Sequence, residues 1–130
     1  MGFFDIFKSQ RDIVKEEINE VPWIQLERDE QVEEIKEVSN ATPVLVFKHS
    51  ATCGISRMVL KQFEKVYNID KKDLEPYFLD LRKHRSVSNL IASTFNVPHE
   101  SPQLLVIKHG ECIYDTSHGG INLQGVKEHI

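Results

Sequence analysis

Cys53 is the residue of this chain whose type and position most clearly suit it to catalysis. It follows a short apolar run at residues 44–47, and apolar side chains recur at helical spacing over residues 55–66. We therefore expect a strand that gives way to a helix at Cys53, with Thr52 as the N-cap. Unpaired amides and the positive end of the helix dipole favour a thiolate there, and the thiolate is the nucleophile of thiol chemistry. Three nearby basic side chains could add positive charge: His49, Arg57 and Lys61.

Ser56 occupies the position of the second cysteine in a C-x-x-C pair. Because a hydroxyl cannot form a disulfide, a bond made by Cys53 must be resolved by an outside thiol or by Cys112. Ser56 either donates a hydrogen bond to the Cys53 thiolate or is an ordinary first-turn serine. For Cys112 we expect a thiol without a catalytic role, on the second strand of a hairpin. The alternative for Cys53 is a small core residue, which its polar neighbours disfavour.

Length and composition indicate one ordinary globular domain with a small appendage. The 130 residues have a net charge of −4 without a basic cluster, which argues against nucleic acid as the main partner. No apolar run could span a bilayer, and the start lacks the basic segment of a signal peptide. The two cysteines form no disulfide framework, and the six histidines lack metal-ligand spacing. We expect a reduced, cytoplasmic protein without a metal site or a membrane contact.

Residues 1–20 form a segment distinct from the rest of the chain. Their apolar side chains fall near one helical stripe, with most of the charges off it. We expect an amphipathic helical extension over residues 1–20 and one domain over residues 21–130. The stripe would pack on that domain or on a second subunit of a homodimer; a membrane-surface anchor is the alternative, but it needs a more basic polar face. The stripe comprises Phe3, Phe4, Phe7, Val14 and Ile18.

The rest of the pattern alternates strands and helices before it ends in a hairpin. Strands joined by helices imply right-handed crossovers and parallel neighbours, whereas a hairpin at His109-Gly110 requires antiparallel strands. These connections predict an α/β fold, a mixed sheet with helices on both faces. The predicted strands cover residues 23–26, 44–47, 77–81, 103–108 and 111–115. The predicted helices cover residues 29–38, 55–66, 87–95 and a short last segment that Asn122 would cap.

Two motifs of this chain resemble those of the monothiol bacilliredoxins of low-GC Gram-positive bacteria, which have a thioredoxin-like fold. The first is F-K-H-S-x-T-C-x-I-S at residues 47–56, and the second is H-E-S-P-Q at residues 99–103. The similarity extends from about Trp23 to the C-terminus, so residues 1–20 lie outside it. Proline usually follows the cysteine in that family, whereas this chain has Gly54. The C-G-I-S sequence is also partly similar to the Cys-Gly-Phe-Ser signature of monothiol glutaredoxins.

The resemblance implies a monothiol thiol–disulfide oxidoreductase of redox homeostasis and the stress response. Its substrates would be mixed disulfides between proteins and bacillithiol, a low-molecular-weight thiol. Cys53 would be the nucleophile, supported by Thr52, Gly54 and Ser56. The resemblance also implies that the Ser101-Pro102 bond is cis and faces the nucleophile, so that the backbone of this pair could bond an incoming disulfide.

Bacillithiol would serve as a co-substrate whose malate group carries two carboxylates. The resemblance assigns its binding to Lys48 and to the corner formed by Gly119, Gly120 and Asn122, where amides precede the last helix. The alternative for this corner is a flexible turn before a capped helix. The similarity to glutaredoxins implies a different function, a carrier that holds a [2Fe–2S] cluster between two subunits with two small thiols. A stress adaptor without turnover is a third option.

Overall fold

A five-stranded mixed sheet forms the centre of the computed structural model, which describes residues 21–130. The strands are β1 (Ile24–Gln25), β2 (Val44–His49), β3 (Glu75–Asp80), β4 (Gln103–Lys108) and β5 (Glu111–Ser117). Their order across the sheet is β1-β3-β2-β4-β5. β1, β3 and β2 run parallel, whereas β4 is antiparallel to β2 and β5 is antiparallel to β4. This arrangement confirms the predicted mixed sheet.

Helices cover both faces of the sheet within the described part of the chain. They are α1 (Glu30–Val38), α2 (Gly54–Val66), α3 (Arg85–Phe95) and α4 (Leu123–Lys127), and a 3-10 turn at His118–Gly120 precedes α4. None of these helices is long and apolar enough to cross a membrane. The predicted helix of residues 1–20, and the homodimer contact assigned to it, lie outside the described residues.

The central strand β2 divides the core into two layers. Its side chains alternate between the faces, so Val44 and Val46 pack with α1 and α3, and Leu45 and Phe47 pack with α2 and α4. Every residue of β2 is buried, because the strand is covered on both faces and paired on both edges. The sequence of a strand in this position is typically a nearly continuous apolar run.

Four of the five strands differ at their ends from the sequence prediction, and only β4 has the predicted bounds. Pro76 lies inside β3 rather than before it, opposite Leu45 of β2. The neighbouring Glu75 amide donates to the Pro43 carbonyl, on the β2 side of β3. Pro76, which has no N–H, therefore faces the β1 side, and the pairing with β1 begins only at Tyr77. β5 extends two residues past the predicted end.

The turn of the β4–β5 hairpin is formed by His109 and Gly110, as predicted. Both residues have positive φ, 52° and 78° respectively. A two-residue turn with positive φ at both positions matches the right-handed twist of the flanking strands. The hairpin therefore fixes the register of β4, the strand that continues from the H-E-S-P-Q motif.

Candidate active site

Cys53 lies at the junction of β2 and α2 and is partly exposed. Its backbone is extended, with φ −95° and ψ 120°, and its carbonyl accepts the 3.0 Å bond from the Arg57 amide that begins the helix. Cys53 is therefore the N-cap residue itself, and the prediction that Thr52 caps α2 is wrong. The loop places the cap one residue later, because the Cys53 amide donates to Ser50 at 3.1 Å; the Thr52 hydroxyl contacts the Ser50 hydroxyl at 3.3 Å.

Ser56 supports the loop before Cys53. Its side chain is fully buried, and its hydroxyl oxygen accepts the Ser50 amide at 3.1 Å. The same hydroxyl is hydrogen-bonded to Nδ1 of His49 at 3.0 Å. Ser56 is thus bonded to the end of β2 and to the residue after it, not to the Cys53 thiol. These two hydrogen bonds hold the loop before Cys53 against α2.

His49 does not supply the positive charge that the sequence suggests. It is 7% exposed, and its ring packs on Phe78 with 5.5 Å between the ring centroids. Burial lowers the pKa of His49, against smaller opposing effects of the Asp80 and Glu64 carboxylates. A neutral imidazole at neutral pH follows, in keeping with its bond to Ser56.

Arg57 contacts the loop that leads to Cys53. Its Nη1 donates to the Ala51 carbonyl at 2.9 Å, so the guanidinium braces the loop that leads to Cys53. Lys61 is exposed one turn further along α2. At Gly54, an added Cβ would meet only Nη2 of Arg57, at 3.9 Å, which is an ordinary contact. Sterics therefore do not require glycine after the cysteine.

The Ser101–Pro102 segment lies at the same end of the sheet as Cys53. Lys48 pairs with Gln103, which places Pro102 beside the end of β2, and the Ser101–Pro102 peptide bond is cis. The Pro102 carbonyl accepts the His118 amide at 3.0 Å. Within residues 21–130, the Ser101 backbone amide and carbonyl have no hydrogen-bond partner, and its buried hydroxyl has none either. An extended chain could pair with this backbone.

The corner proposed for thiol binding is brought to the site, and its asparagine caps a helix. The 3-10 turn that contains Gly119 and Gly120 contacts α2. Oδ1 of Asn122 accepts the Gly125 amide at 2.8 Å, which confirms the predicted cap of α4. Its Nδ2 donates to the Gly120 carbonyl at 3.2 Å, so the side chain of Asn122 is engaged within the corner.

Lys48 is placed differently from the surface ligand that the sequence suggests. It is 0% exposed and lies under α3, where Nζ donates to the Ser88 carbonyl at 3.4 Å. The reason is its register in β2: Lys48 follows Val44 and Val46 on the face that α1 and α3 cover. Its ammonium group cannot reach a thiol at the surface from this position.

Two exposed apolar side chains follow Cys53 in the first turns of α2 and belong to the apolar spacing that predicts this helix. Ile55 is 52% and Met58 is 54% exposed, whereas Phe63 is buried. At 100° per residue, Met58 lies about 140° and Ile55 about 80° around the axis of α2 from Phe63.

A sequence model of the family described as monothiol bacilliredoxin BrxC matches residues 24–126. The chain belongs to this family. The matched range includes both motifs and all five strands of the sheet, and it leaves out residues 1–20. Family membership and fold together support a thiol oxidoreductase.

Solved structures agree with the bacilliredoxin fold. A thioredoxin-fold protein proposed to be an oxidoreductase is 36% identical, with a TM-score of 0.69 over 81% of this chain and 90% of that one. Thioredoxin from Trypanosoma brucei brucei is 15% identical, with a TM-score of 0.63 over 82% and 88% of the two chains. Thioredoxin from Fasciola hepatica is 17% identical, with a TM-score of 0.59 over 80% and 92%. The two thioredoxins establish likeness of fold alone.

The second cysteine of this bacilliredoxin lies far from the first. Cys112 pairs with Ile107, and Ile107 pairs with Val44 at the opposite end of β2 from Cys53. The five residue steps from Val44 to His49 of β2 alone span about 16 Å, more than twice the roughly 7 Å limit between bridged Cα atoms. The Cys112 thiol donates to the Tyr114 carbonyl at 3.4 Å, and burial raises its pKa. An internal disulfide would require the sheet to break.

Metal coordination by the chain alone has little support in the described residues. Within residues 21–130, no group of three or more His, Cys, Asp or Glu side chains could hold a metal ion. Cys53 could contribute a single thiolate ligand, and Cys112 is too distant to add a second. The residues present therefore do not fit a cluster held by one subunit.

Proposed function

We propose that this bacilliredoxin reduces mixed disulfides between proteins and bacillithiol, with Cys53 as its single nucleophile. The observation that carries the proposal is a partly exposed thiol at the start of α2, beside Ser101–Pro102, with the second cysteine at the far end of the sheet. The free amides of the helix start stabilise a thiolate. A lone reactive thiol suits exchange with a small thiol, because no internal partner competes for the new bond.

In the first step the Cys53 thiolate attacks the bacillithiol sulfur of the mixed disulfide. The bond from that sulfur to the protein cysteine breaks, and a new S–S bond joins bacillithiol to Cys53. The protein leaves as a thiolate and takes a proton from water. The substrate protein is thereby reduced, and Cys53 is oxidised to a mixed disulfide.

In the second step a second low-molecular-weight thiol regenerates the enzyme. Its thiolate attacks the bacillithiol sulfur, the bond to Cys53 breaks, and a small disulfide is released. With bacillithiol as this thiol, oxidised bacillithiol is the product and the electrons balance. The partial exposure of Cys53 leaves room for the second attack.

Features beside the thiol support a protein as one half of the substrate. Ile55 and Met58 present apolar surface next to Cys53, which an interacting protein would cover. The unpaired backbone of Ser101 could pair with an extended segment around the substrate's cysteine. Pairing there would align the scissile disulfide with the Cys53 sulfur.

The small-thiol half of the substrate would lie at the corner of Gly119 and Gly120. This turn contacts α2 and is tied to Pro102 through the His118 amide. The carboxylates of bacillithiol would bond to backbone amides there, while the Asn122 side chain maintains the turn.

Intact mass spectrometry with oxidised bacillithiol tests the proposal. Wild type and the matched control Cys112→Ser should each gain one bacillithiol moiety, and a second thiol should remove it. Cys53→Ser, which keeps Cys112, should gain none. A wild type that stays unmodified, or an adduct that persists in Cys53→Ser, would overturn the proposal.

The second candidate is a [2Fe–2S] carrier, suggested by C-G-I-S at residues 53–56. Because one subunit offers a single suitable thiolate, such a cluster would need a second subunit and two small thiols. Anaerobic purification decides between the two: a brown protein with charge-transfer absorption that Cys53→Ser abolishes would favour the carrier. We expect a colourless protein that still exchanges disulfides.

A further inference from the structure

A buried polar cluster lies beneath the segment of residues 98–103, outside the set of groups that contact the reacting sulfurs. It consists of Lys48, Ser88, His99 and Gln103. Lys48 and Ser88 are fully buried, and Gln103 is 2% exposed. Within residues 21–130, no carboxylate forms an ion pair with Lys48. A buried ammonium without a counter-ion costs free energy, and such costs are typical of functional regions.

The contacts of the cluster connect β2 and α3 to His99, near the start of this segment. Nζ of Lys48 donates to the Ser88 carbonyl at 3.4 Å, and the Ser88 hydroxyl is bonded to Nδ1 of His99 at 3.2 Å. At the other end, Nε2 of Gln103 donates to the Pro98 carbonyl at 2.9 Å and closes the segment into a loop. Lys48 and Gln103 are directly opposite in β2 and β4, so their side chains share one face.

The pKa shifts of Lys48 and His99 are consistent with the hydrogen bonds of the cluster. Burial, and after it the charge of Arg85, lowers the pKa of Lys48 to about 8, so the group remains largely protonated at neutral pH. Burial, and after it the charges of Lys48 and Arg85, lowers the pKa of His99, against an opposing effect of Glu100. Nδ1 of a neutral His99 can accept a hydrogen bond from the Ser88 hydroxyl. Oε1 of Gln103 is buried and has no hydrogen-bond partner within residues 21–130.

We propose that Lys48 is a positioning residue that, through Ser88 and His99, holds residues 98–103 in register opposite Cys53. Lys48 acts from below the sheet surface and does not touch the substrate. The inference rests on the proposed function, because it assigns Lys48 a part in the same exchange reaction. Loss of Lys48 should loosen the Ser101 backbone, and thereby weaken substrate binding, while the Cys53 thiol itself remains unchanged.

The structure supplies a local reporter for this position. The His118 amide donates to the Pro102 carbonyl at 3.0 Å, so its hydrogen exchange reports whether residues 98–103 stay in place. In Lys48→Met we expect exchange at His118 to be about tenfold faster than in wild type. The matched control is Lys108→Met, which removes a partly buried lysine from the far end of β4 and should leave this exchange unchanged.

Kinetics separate positioning from general damage. With a bacillithiol-capped test protein, Lys48→Met should raise KM about tenfold and change kcat by less than about twofold. Alkylation of Cys53 by iodoacetamide, which needs no substrate loop, should match wild type. If a folded Lys48→Met keeps wild-type His118 exchange and wild-type KM, Lys48 only fills space and the inference is wrong.

A second variant, Ser88→Ala, tests the inference if Lys48→Met does not fold. Ser88→Ala keeps the carbonyl that accepts Lys48 and removes the hydroxyl bonded to His99. It should accelerate His118 exchange in the same direction, and no acceleration would overturn the inference. Because the exchange measurement needs no substrate, it stays decisive even if wild type fails to reduce the bacillithiol-capped protein, an outcome that would refute the proposed function alone.

Discussion

Replacing Lys48 with methionine should make the protein more stable at neutral pH. Lys48 is 0% exposed, and burial lowers its pKa from 10.5 to about 8. At about 1.4 kcal/mol for each tenfold change in proton affinity, this fall corresponds to about 3 kcal/mol of cost to the folded state at pH 7. Methionine has a similar length and no charge. After loss of the Ser88 hydrogen bond, worth about 1 kcal/mol, we expect a net gain of about 2 kcal/mol in the free energy of unfolding.

The gain should depend on pH in a defined direction. Between pH about 8 and 10.5, folded Lys48 has released its proton while the unfolded chain still binds it. The stability contributed by this group therefore rises with pH across that window, and the advantage of Lys48→Met shrinks. Urea unfolding at pH 7 and pH 10 measures both quantities, with Lys108→Met as the control for loss of a lysine. A variant less stable than wild type at pH 7, or an advantage that does not shrink by pH 10, would refute the reasoning.

Three further substitutions probe the surroundings of the thiol. Ser56→Ala should lower the free energy of unfolding by about 1–2 kcal/mol in urea titrations, because the Ser50 amide and the His49 ring lose their partner. Gly54→Pro should raise the melting temperature by a few degrees, since the position begins a helix and the residue before it is extended; a lower value would contradict this account. Asn122→Ala should cost about 1 kcal/mol through loss of the α4 cap, whereas an exposed serine control should cost nothing measurable.

The path of the chain through the site could be predicted from local patterns. The apolar run before Cys53 and the helical spacing after it placed the thiol at the start of a helix. The turn at His109-Gly110 and the helix cap at Asn122 could also be predicted, because glycine favours tight turns and asparagine favours N-caps. The Thr52 cap was wrong by one residue, since a hydroxyl suitable for capping does not reveal which carbonyl begins the helix.

Burial at the end of β2 could not be predicted. Lys48 and His49 follow the apolar run, and their residue types suggest surface positions. Both are buried, however, because Lys48 lies under α3 and His49 packs on Ser56 and Phe78. Burial there depends on which elements lie over each face, and this is decided by chain segments about 40 residues away. For the same reason the helical spacing over residues 55–66 does not show that Ile55 and Met58 are exposed.

The Ser101–Pro102 pair shows what a family resemblance adds. Cis bonds are a minority even before proline, so the residue pattern alone favours a trans bond. The H-E-S-P-Q motif suggested the cis form through similarity to the thioredoxin-like fold, and the peptide bond is cis. The polar cluster beneath this loop had no such signal, because its members come from β2, α3 and β4.

The most direct test of the central claim is reduction of a bacillithiol-capped test protein with excess bacillithiol as reductant. Release of the free test-protein thiol is measured for wild type, Cys112→Ser and Cys53→Ser. We expect wild type and Cys112→Ser to release it at the same rate, and Cys53→Ser to match the rate without enzyme, because Cys112 lies at the opposite end of the sheet. If Cys112→Ser instead accumulates as its own mixed disulfide while wild type turns over, Cys112 resolves the intermediate and the single-thiol mechanism is contradicted.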